Sequence, residues 1–252
     1  MFFDYYQYTD KIDKQNAPKL IEYAIEFGDA DVKVFQEFFD NKKDIFKITE
    51  RLQAAGYRHY YLMENPLTKQ GFHGLAIFSK YPMIKQKSKY FSDGANGFLI
   101  ADIIFKKDTI RLINSHLYSM GIRISRFKNQ GYTGAKIESK SVFRLLKKGF
   151  DKRNEEVDEL EKQIKISPYP VLLCGDFNET PYSYAYGKVG NYLENAFENA
   201  GNGFGFTYNH SPQFIRIDNQ FYDAKRLQIV DFKVGTKKYS DHYPLLGTYR
   251  IE

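Results

Sequence analysis

The 252-residue chain has no tryptophan and a single cysteine, Cys174. One thiol excludes an internal disulfide and a zinc site built from several cysteines. Cys174 closes the apolar run Val171-Leu172-Leu173-Cys174, where an inert buried thiol is expected rather than a nucleophile. No apolar stretch approaches the ~20 residues needed to span a bilayer as a helix, and no signal peptide is visible, so a soluble fragment is expected. Internal repeats, low-complexity linkers and breaks in composition are also missing. The expectation is one domain over residues 1–252.

What is present is ordinary in bulk: hydrophobic residues make up 42% and charged residues 27%. The aromatic load is unusual, with 21 Tyr and 22 Phe. It reads as a Tyr- and Phe-rich sheet core, with a base-stacking platform as the competing reading. A formal charge of +6 and a pI near 9.0 favour polyanionic partners such as nucleic acid, anionic lipid or phosphorylated small molecules.

Along the chain, Asn16 as cap and Pro18 in the first turn open a helix whose stripe Leu20, Ile21, Ala24, Ile25 and Phe27 ends at Gly28. Residues 31–35 alternate as a strand delivering Gln36-Glu37 at its end. A second helix is predicted near 44–55, with Gly56 as its stop. Strands follow at 74–79, 98–105 and 109–113, the last leading into Asn114-Ser115-His116. A loop rich in Arg, Lys and Gly covers 118–136, and a charged helix then runs to about Ile164, with Val142, Leu145, Leu146, Val157, Leu160 and Ile164 inward. A buried strand at 171–174 opens into Gly175-Asp176-Phe177-Asn178. Two short helices fit 183–200, and strands are expected at 214–218, 227–234 and 245–250. Strand groups separated by helices argue for a layered α/β sandwich.

The chemistry collects at strand ends. Gln36-Glu37, Asn114-Ser115-His116, Gly175-Asp176-Phe177-Asn178 and Arg216-Ile217-Asp218 each follow an apolar strand, and Tyr239-Ser240-Asp241-His242 precedes the last one. Strand ends converging on one rim are where layered α/β proteins place their sites. Carboxylates, an amide and two histidines suit a hard cation such as Mg²⁺ or Mn²⁺ rather than zinc, and with it phosphoryl chemistry. Taken singly, each cluster has a plainer reading: Glu37 as a solvated surface group, His116 as a structural histidine, Asp176 and Asn178 as an Asx-turn. His59, His73 and His210 lack motif context and read as structural or exposed, with His210 near the rim. Arg123, Arg126, Lys128 and Lys136 either grip substrate phosphates or are simply solvated.

In VFQEF, GLAIFSKYP, INSHL, LLCGDFNETPYSYAY, GFGFTYN, IRID and YSDHYPL, in that order over residues 34–245, the chain resembles the endonuclease/exonuclease/phosphatase superfamily. The likeness is to uncharacterised bacterial members. It implies an α/β fold, a four-layer α/β/β/α sandwich with two packed mixed β-sheets, and an Mg²⁺-dependent phosphoesterase, with Mn²⁺ as the substitute ion. By the same resemblance Glu37 binds the metal and Asp241 is linked to it. His116 contacts the scissile phosphate and steadies or protonates the leaving oxygen. Asp176 and Asn178 position the attacking water and hydrogen-bond the transition state. His242 is catalytic, with Asp218 holding its tautomer; the base is assigned to His242, with Asp176 the alternative.

Two departures from the family pattern stand out, Asn219-Gln220 and the first strand, and two further features bear on the substrate. Asn219-Gln220 follows Arg216-Ile217-Asp218 where relatives carry an aromatic. Phe38-Phe39 stands where apurinic-site endonucleases have Thr-Lys, and no motif of the inositol polyphosphate phosphatases is found. The family's first strand, ending in a metal-ligating Asn, has no counterpart, since Met1-Phe2-Phe3-Asp4-Tyr5 resembles the segment after it. The expectation is a fragment lacking that strand, with an upstream membrane tether left open and Mg²⁺ bound less well than by a chain extended by roughly ten residues. The favoured reading is a monomeric phosphodiesterase acting on a phosphate ester, nucleic acid among the candidates, with no protein partner. A phosphomonoesterase of the inositol-phosphate type, a sphingomyelinase-like lipid phosphodiesterase and a catalytically silent binding module are the alternatives. Retention of the polar positions from Glu37 onward argues against the silent module.

Overall fold

Helices flank two β layers in the computed structural model, which describes residues 16–40, 47–64, 72–91, 96–119, 132–209 and 214–252. On one outer face lie α1 (Asn16–Glu26) and α2 (Ile48–Ala54). The turn after α1 passes through Gly28, which sits at φ +77°; a Cβ there would stand 2.6 Å from the Leu246 side chain, so glycine answers both the turn and the close approach. These helices cover a sheet of β1 (Val32–Asp40), β2 (His59–Glu64) and β3 (Phe72–Ser79), ordered β1-β3-β2 and antiparallel throughout. Ile21 and Leu52 meet Phe35, Phe38 and Phe78 in the buried seam between them.

The second sheet holds β4 (Met83–Tyr90), β5 (Gly97–Phe105), β6 (Asp108–His116), β7 (Val171–Asp176), β8 (Glu194–Asn195) and β9 (Asp218–Tyr222), ordered β4-β5-β6-β7-β9-β8. Period-two alternation splits its apolar residues between two cores. Leu99, Ala101, Leu112 and Cys174 face Met63, Leu75 and Ile77 of the first sheet. Phe98, Ile100, Ile113 and Leu173 face Val157, Leu160 and Ile164 of α3 (Tyr132–Lys165). Helix α4 (Tyr184–Gly190) joins that outer layer through Ala185 and Val189. The pair β10 (Leu227–Val234) and β11 (Leu245–Ile251), with α5 (Ala196–Ala200), packs against Tyr222 and Leu172.

The four-layer α/β arrangement is as expected, with one difference. Among the described residues only the six-stranded sheet is mixed, through the parallel pair β6–β7; the smaller sheets are antiparallel. A parallel pair needs a long crossover, and α3 supplies the one between β6 and β7. Residues 132–136, expected as loop, already belong to α3, and β2 and β4 were not anticipated. The opening aromatic segment at 2–8 and Ile45 lie outside the described residues, as do the side chains of Val142, Leu145 and Leu146. No helix among the described residues is long and apolar enough to cross a membrane.

Candidate active site

Three strands of the mixed sheet meet at one rim. Parallel β6 and β7 finish side by side, with His116 the register partner of Asp176. Strand β9 runs antiparallel to β7 and pairs Asp218 with Asp176, so its start falls on the same rim as their ends. Asp218 therefore opens a strand, where the sequence reading had it close one. The physical reason is the antiparallel pairing of β9 with β7, and Thr207 Oγ1 accepts the amides of Ile217 and Asp218 at 3.0 and 3.1 Å where the strand begins. Gly175 is required by the same crowding, since a Cβ there would lie 2.4 Å from the Ser115 carbonyl.

His242 arrives on the bend before β11. A backbone bridge with Tyr208 and an edge-to-face ring contact with it (5.1 Å between centroids) set its position. Its Nδ1 lies 2.8 Å from Asp218 Oδ2, and its Nε2 4.0 Å from Asp176 Oδ2. His116 Nε2 approaches that same Asp176 oxygen at 3.7 Å. One buried carboxylate thus stands between two imidazoles. Burial pushes Asp176 up to about 6, with the Asp218 charge adding to it and His242, His116 and the Asn178 amide opposing. For His242 burial alone would lower the pKa, but the charge and hydrogen bond of Asp218, with Asp176 and Asp241, outweigh it and lift it to about 10.

Asp176 Oδ1 accepts the Asn178 amide at 2.8 Å, so the Asx-turn is present. Asn178 sits at φ +50° and donates Nδ2 to the Leu117 carbonyl at 2.9 Å, while the Leu117 amide donates to the Asp176 carbonyl at 2.9 Å. The loops after β6 and β7 are therefore stitched together at the rim.

Gln36-Glu37 lies inside β1 rather than at its end. The register with β3 slips between Phe35 and Phe38, a bulge that puts Glu37 at φ +50°. Beside it, Gln36 Nε2 donates to Asn114 Oδ1 at 2.6 Å, and the buried Asn114 donates Nδ2 to the carbonyls of Phe35 (2.8 Å) and Ala76 (3.1 Å). Asn114 thus ties the two sheets together behind the bulge. The partly buried Glu37 carboxylate has no hydrogen-bond or ion-pair partner among the described residues. Asp241 accepts from Ser240 Oγ at 3.1 Å, and its carbonyl accepts the Asn209 amide at 2.7 Å.

The donor chemistry fits a hard divalent cation: carboxylates dominate, and the one thiol, Cys174, is buried with its pKa pushed up to about 12. Among the described residues, donor atoms of Asp176, Asp218 and His242 lie within 4.8 Å of one another; Glu37 and Asp241 are not in that group. Within that trio His242 Nδ1 and Asp218 already share a hydrogen bond, with which an ion placed there would compete.

The remaining polar residues sort by position. The Arg216 guanidinium lies 4.5 Å from the Phe197 ring and 3.3 Å from Glu198. Asn219 accepts from Asn195 at 3.2 Å and Gln220 accepts from Tyr249 at 2.7 Å, so the atypical Asn219-Gln220 pair ties β9 to the cap of α5 and to β11. His59 is exposed on β2. Arg123, Arg126, Lys128 and His210 lie outside the described residues, as do the side chains of His73 and Lys136. Sequence reasoning gave no role to Asn114, Thr207 or Tyr208. They act through hydrogen bonds and packing between segments distant in the chain, which no local pattern announces.

A model of the endonuclease/exonuclease/phosphatase family matches residues 10–242. No curated protein matches the chain. Among solved structures, the chain is similar to an endonuclease/exonuclease/phosphatase from Beutenbergia cavernae DSM 12333 (TM-score 0.67, 15% identity), covering 93% of this chain and 66% of that one, about two thirds of its length. It is similar to the human Nocturnin catalytic domain with bound sulfate anion (TM-score 0.66, 16% identity; 94% and 87% covered). It is also similar to D. rerio TDP2 humanized by 14 mutations (TM-score 0.65, 16% identity; 96% and 94% covered). Identities this low speak for the fold alone.

Proposed function

The chain belongs to the endonuclease/exonuclease/phosphatase family, whose enzymes are divalent-metal-dependent hydrolases of phosphoester bonds, and we propose that it is an Mg²⁺-dependent phosphodiesterase. The observation that carries this reading is Asp176 Oδ2, which faces His116 at 3.7 Å and His242 at 4.0 Å while Asp218 anchors His242 from behind.

In this reading a water oxygen bonds to phosphorus, the bond from phosphorus to the leaving oxygen breaks, and the water's proton passes to the coupled Asp176–His242 pair. His116 steadies the leaving oxygen, and Asn178 orients the phosphate from the turn it shares with Asp176. Glu37 and Asp241 would hold the cation, which supplies charge neutralisation at the phosphate oxygens. The rim is rich in carboxylates, which favours a singly charged diester over a dianionic monoester. The basic chain, with pI near 9.0, makes nucleic acid the leading substrate class. The sulfate held by the human Nocturnin catalytic domain, of like fold, is in keeping with an oxyanion ligand.

A hydrolysis screen with Mg²⁺ over DNA, RNA, inositol phosphates and sphingomyelin tests the reading, with bis(p-nitrophenyl) phosphate against p-nitrophenyl phosphate as the model pair. Faster turnover of the monoester, or of inositol phosphates over every diester, overturns it.

A further inference from the structure

We infer that α3 carries a positioning device for this site, in which Arg153 and Glu156 clamp the two loops that bear His116 and Asn178; the inference rests on the phosphodiesterase reading. The three charged groups involved, Arg153, Glu156 and Glu179, are buried at 0%, 5% and 6% exposure. Arg153 and Glu156 stand one helical turn apart, on the same face.

Tyr118 lies two residues past His116, and Glu179 directly follows Asn178. Glu156 Oε2 accepts the Tyr118 amide at 2.7 Å. Arg153 Nη1 donates to the Tyr118 carbonyl at 2.9 Å, so the helix holds that peptide segment by both its N–H and its C=O. The Nε of Arg153 donates to Glu179 Oε1 at 2.6 Å. One guanidinium therefore holds the loop after β6 and the loop after β7 together. The Asn178 side chain closes the same joint from the other side, through the Leu117 carbonyl. The planar fork of arginine fixes both distances at once, which a flexible lysine would not do.

Docking of the helix does not explain these charges. Val157, Leu160 and Ile164 already anchor α3 in the core, and Lys87 and Lys89 of β4 bind Gln163 and Glu159. A buried ion pair is a weak source of stability, because desolvation offsets its attraction and an apolar pair of similar volume is often as good or better. Here the balance is poorer still, since Glu179 Oε2 is buried with no hydrogen-bond partner among the described residues. What the pair supplies is geometry: it sets the loops whose spacing places His116, Asp176 and Asn178. Arg153, Glu156 and Glu179 touch no reacting atom, so they are positioning residues.

The test is the double variant Arg153→Met/Glu179→Leu, with turnover of bis(p-nitrophenyl) phosphate in Mg²⁺, thermal unfolding and amide hydrogen exchange measured side by side. The Tm is expected to hold or rise, while kcat falls on the order of 10- to 100-fold with KM little changed, as misplacement of bound groups predicts. Exchange at the Tyr118 and Asn178 amides should quicken while the sheet amides stay protected. A folded double variant with kcat within about twofold of the parent overturns the inference. If the apolar pair does not fold, Glu179→Gln and Glu179→Ala replace it: glutamine keeps an acceptor for Arg153 Nε and should restore most of the kcat lost in alanine, and equal losses overturn the clamp. If the parent hydrolyses no diester, the functional reading fails; the exchange arm then decides the clamp alone, unchanged protection at Tyr118 and Asn178 overturning it.

Discussion

Nδ1 of His242 lies 2.8 Å from Oδ2 of Asp218, a bond between residues 24 positions apart in the chain. Because Asp218 holds Nδ1, Nε2 is left to face Asp176. Asp218→Asn should lower kcat through His242, by on the order of 10² to 10⁴ if the pair acts as a positioned acid or base. Combined with His242→Ala the loss should be far from additive, and independent losses would show that the two residues do not act together. The histidine pKa, lifted to about 10 beside these carboxylates, should fall in Asp218→Asn, a shift readable by NMR titration of the ring.

Activity should vanish with excess EDTA and return with Mg²⁺ or Mn²⁺, since the Glu37 carboxylate, unpaired among the described residues, and the oxygen-rich rim suit a hard ion. The Tm should change little on chelation, because neither Glu37 nor Asp241 belongs to the buried apolar clusters that hold the layers together. Full turnover in chelator would remove the metal from the reaction. A large fall in Tm would give the ion a structural role instead.

Asn114 should matter to both stability and metal use. Its side chain is fully buried and hydrogen-bonded to Gln36, Phe35 and Ala76 across the sheet interface. Asn114→Leu removes these hydrogen bonds from a buried site, at a cost of about 1–3 kcal/mol in urea unfolding. It also frees the bulge that presents Glu37. The Mg²⁺ concentration for half-maximal rate should rise about 10- to 100-fold, as loss of a ligand-orienting partner predicts. A destabilised variant with an unchanged Mg²⁺ requirement would confine Asn114 to the fold.

Much of this arrangement was legible because the chemistry sits where apolar runs stop. Strands 171–174 and 109–113 announce themselves by short apolar runs, and the polar letters that follow them, through Asp176 and His116, mark the rim. The invisible parts are relational. Strand β4, MIKQKSKY, reads as polar and becomes a strand because β5 pairs with it and α3 takes up Lys87 and Lys89. Strand β2 shows no clean alternation, with His59 and Tyr60 exposed at its start. The bulge at Glu37 leaves no mark in VFQEF, since it is a matter of register with β3. Asp218 was placed at the right rim with the wrong strand direction, because antiparallel pairing brings the start of β9 where the end of β7 lies.

Far from the site, Lys33 offers a test of the fold by pH. It is 7% exposed on β1, donates to the Phe27 carbonyl at 3.0 Å, and lies 5.4 Å from the Tyr57 ring. Burial lowers its pKa from 10.5 to about 8, with the Lys80 charge adding to the effect and Asp29 opposing it. The folded state therefore binds fewer protons than the unfolded chain between about 8 and 10.5, so this group's contribution to stability rises as pH climbs through that window. Below about 8 the lysine is charged in both states and the contribution is constant, at its least favourable. Lys33→Met keeps the packing of the stem and removes the titration. At pH 7 the variant should match or exceed the parent in Tm, and its advantage should shrink steadily toward pH 10. Other groups titrate over the same range, so the measurement is the difference between the two proteins, taken from urea midpoints at each pH. Parallel curves for parent and variant would show that Lys33 keeps an ordinary pKa in the folded state.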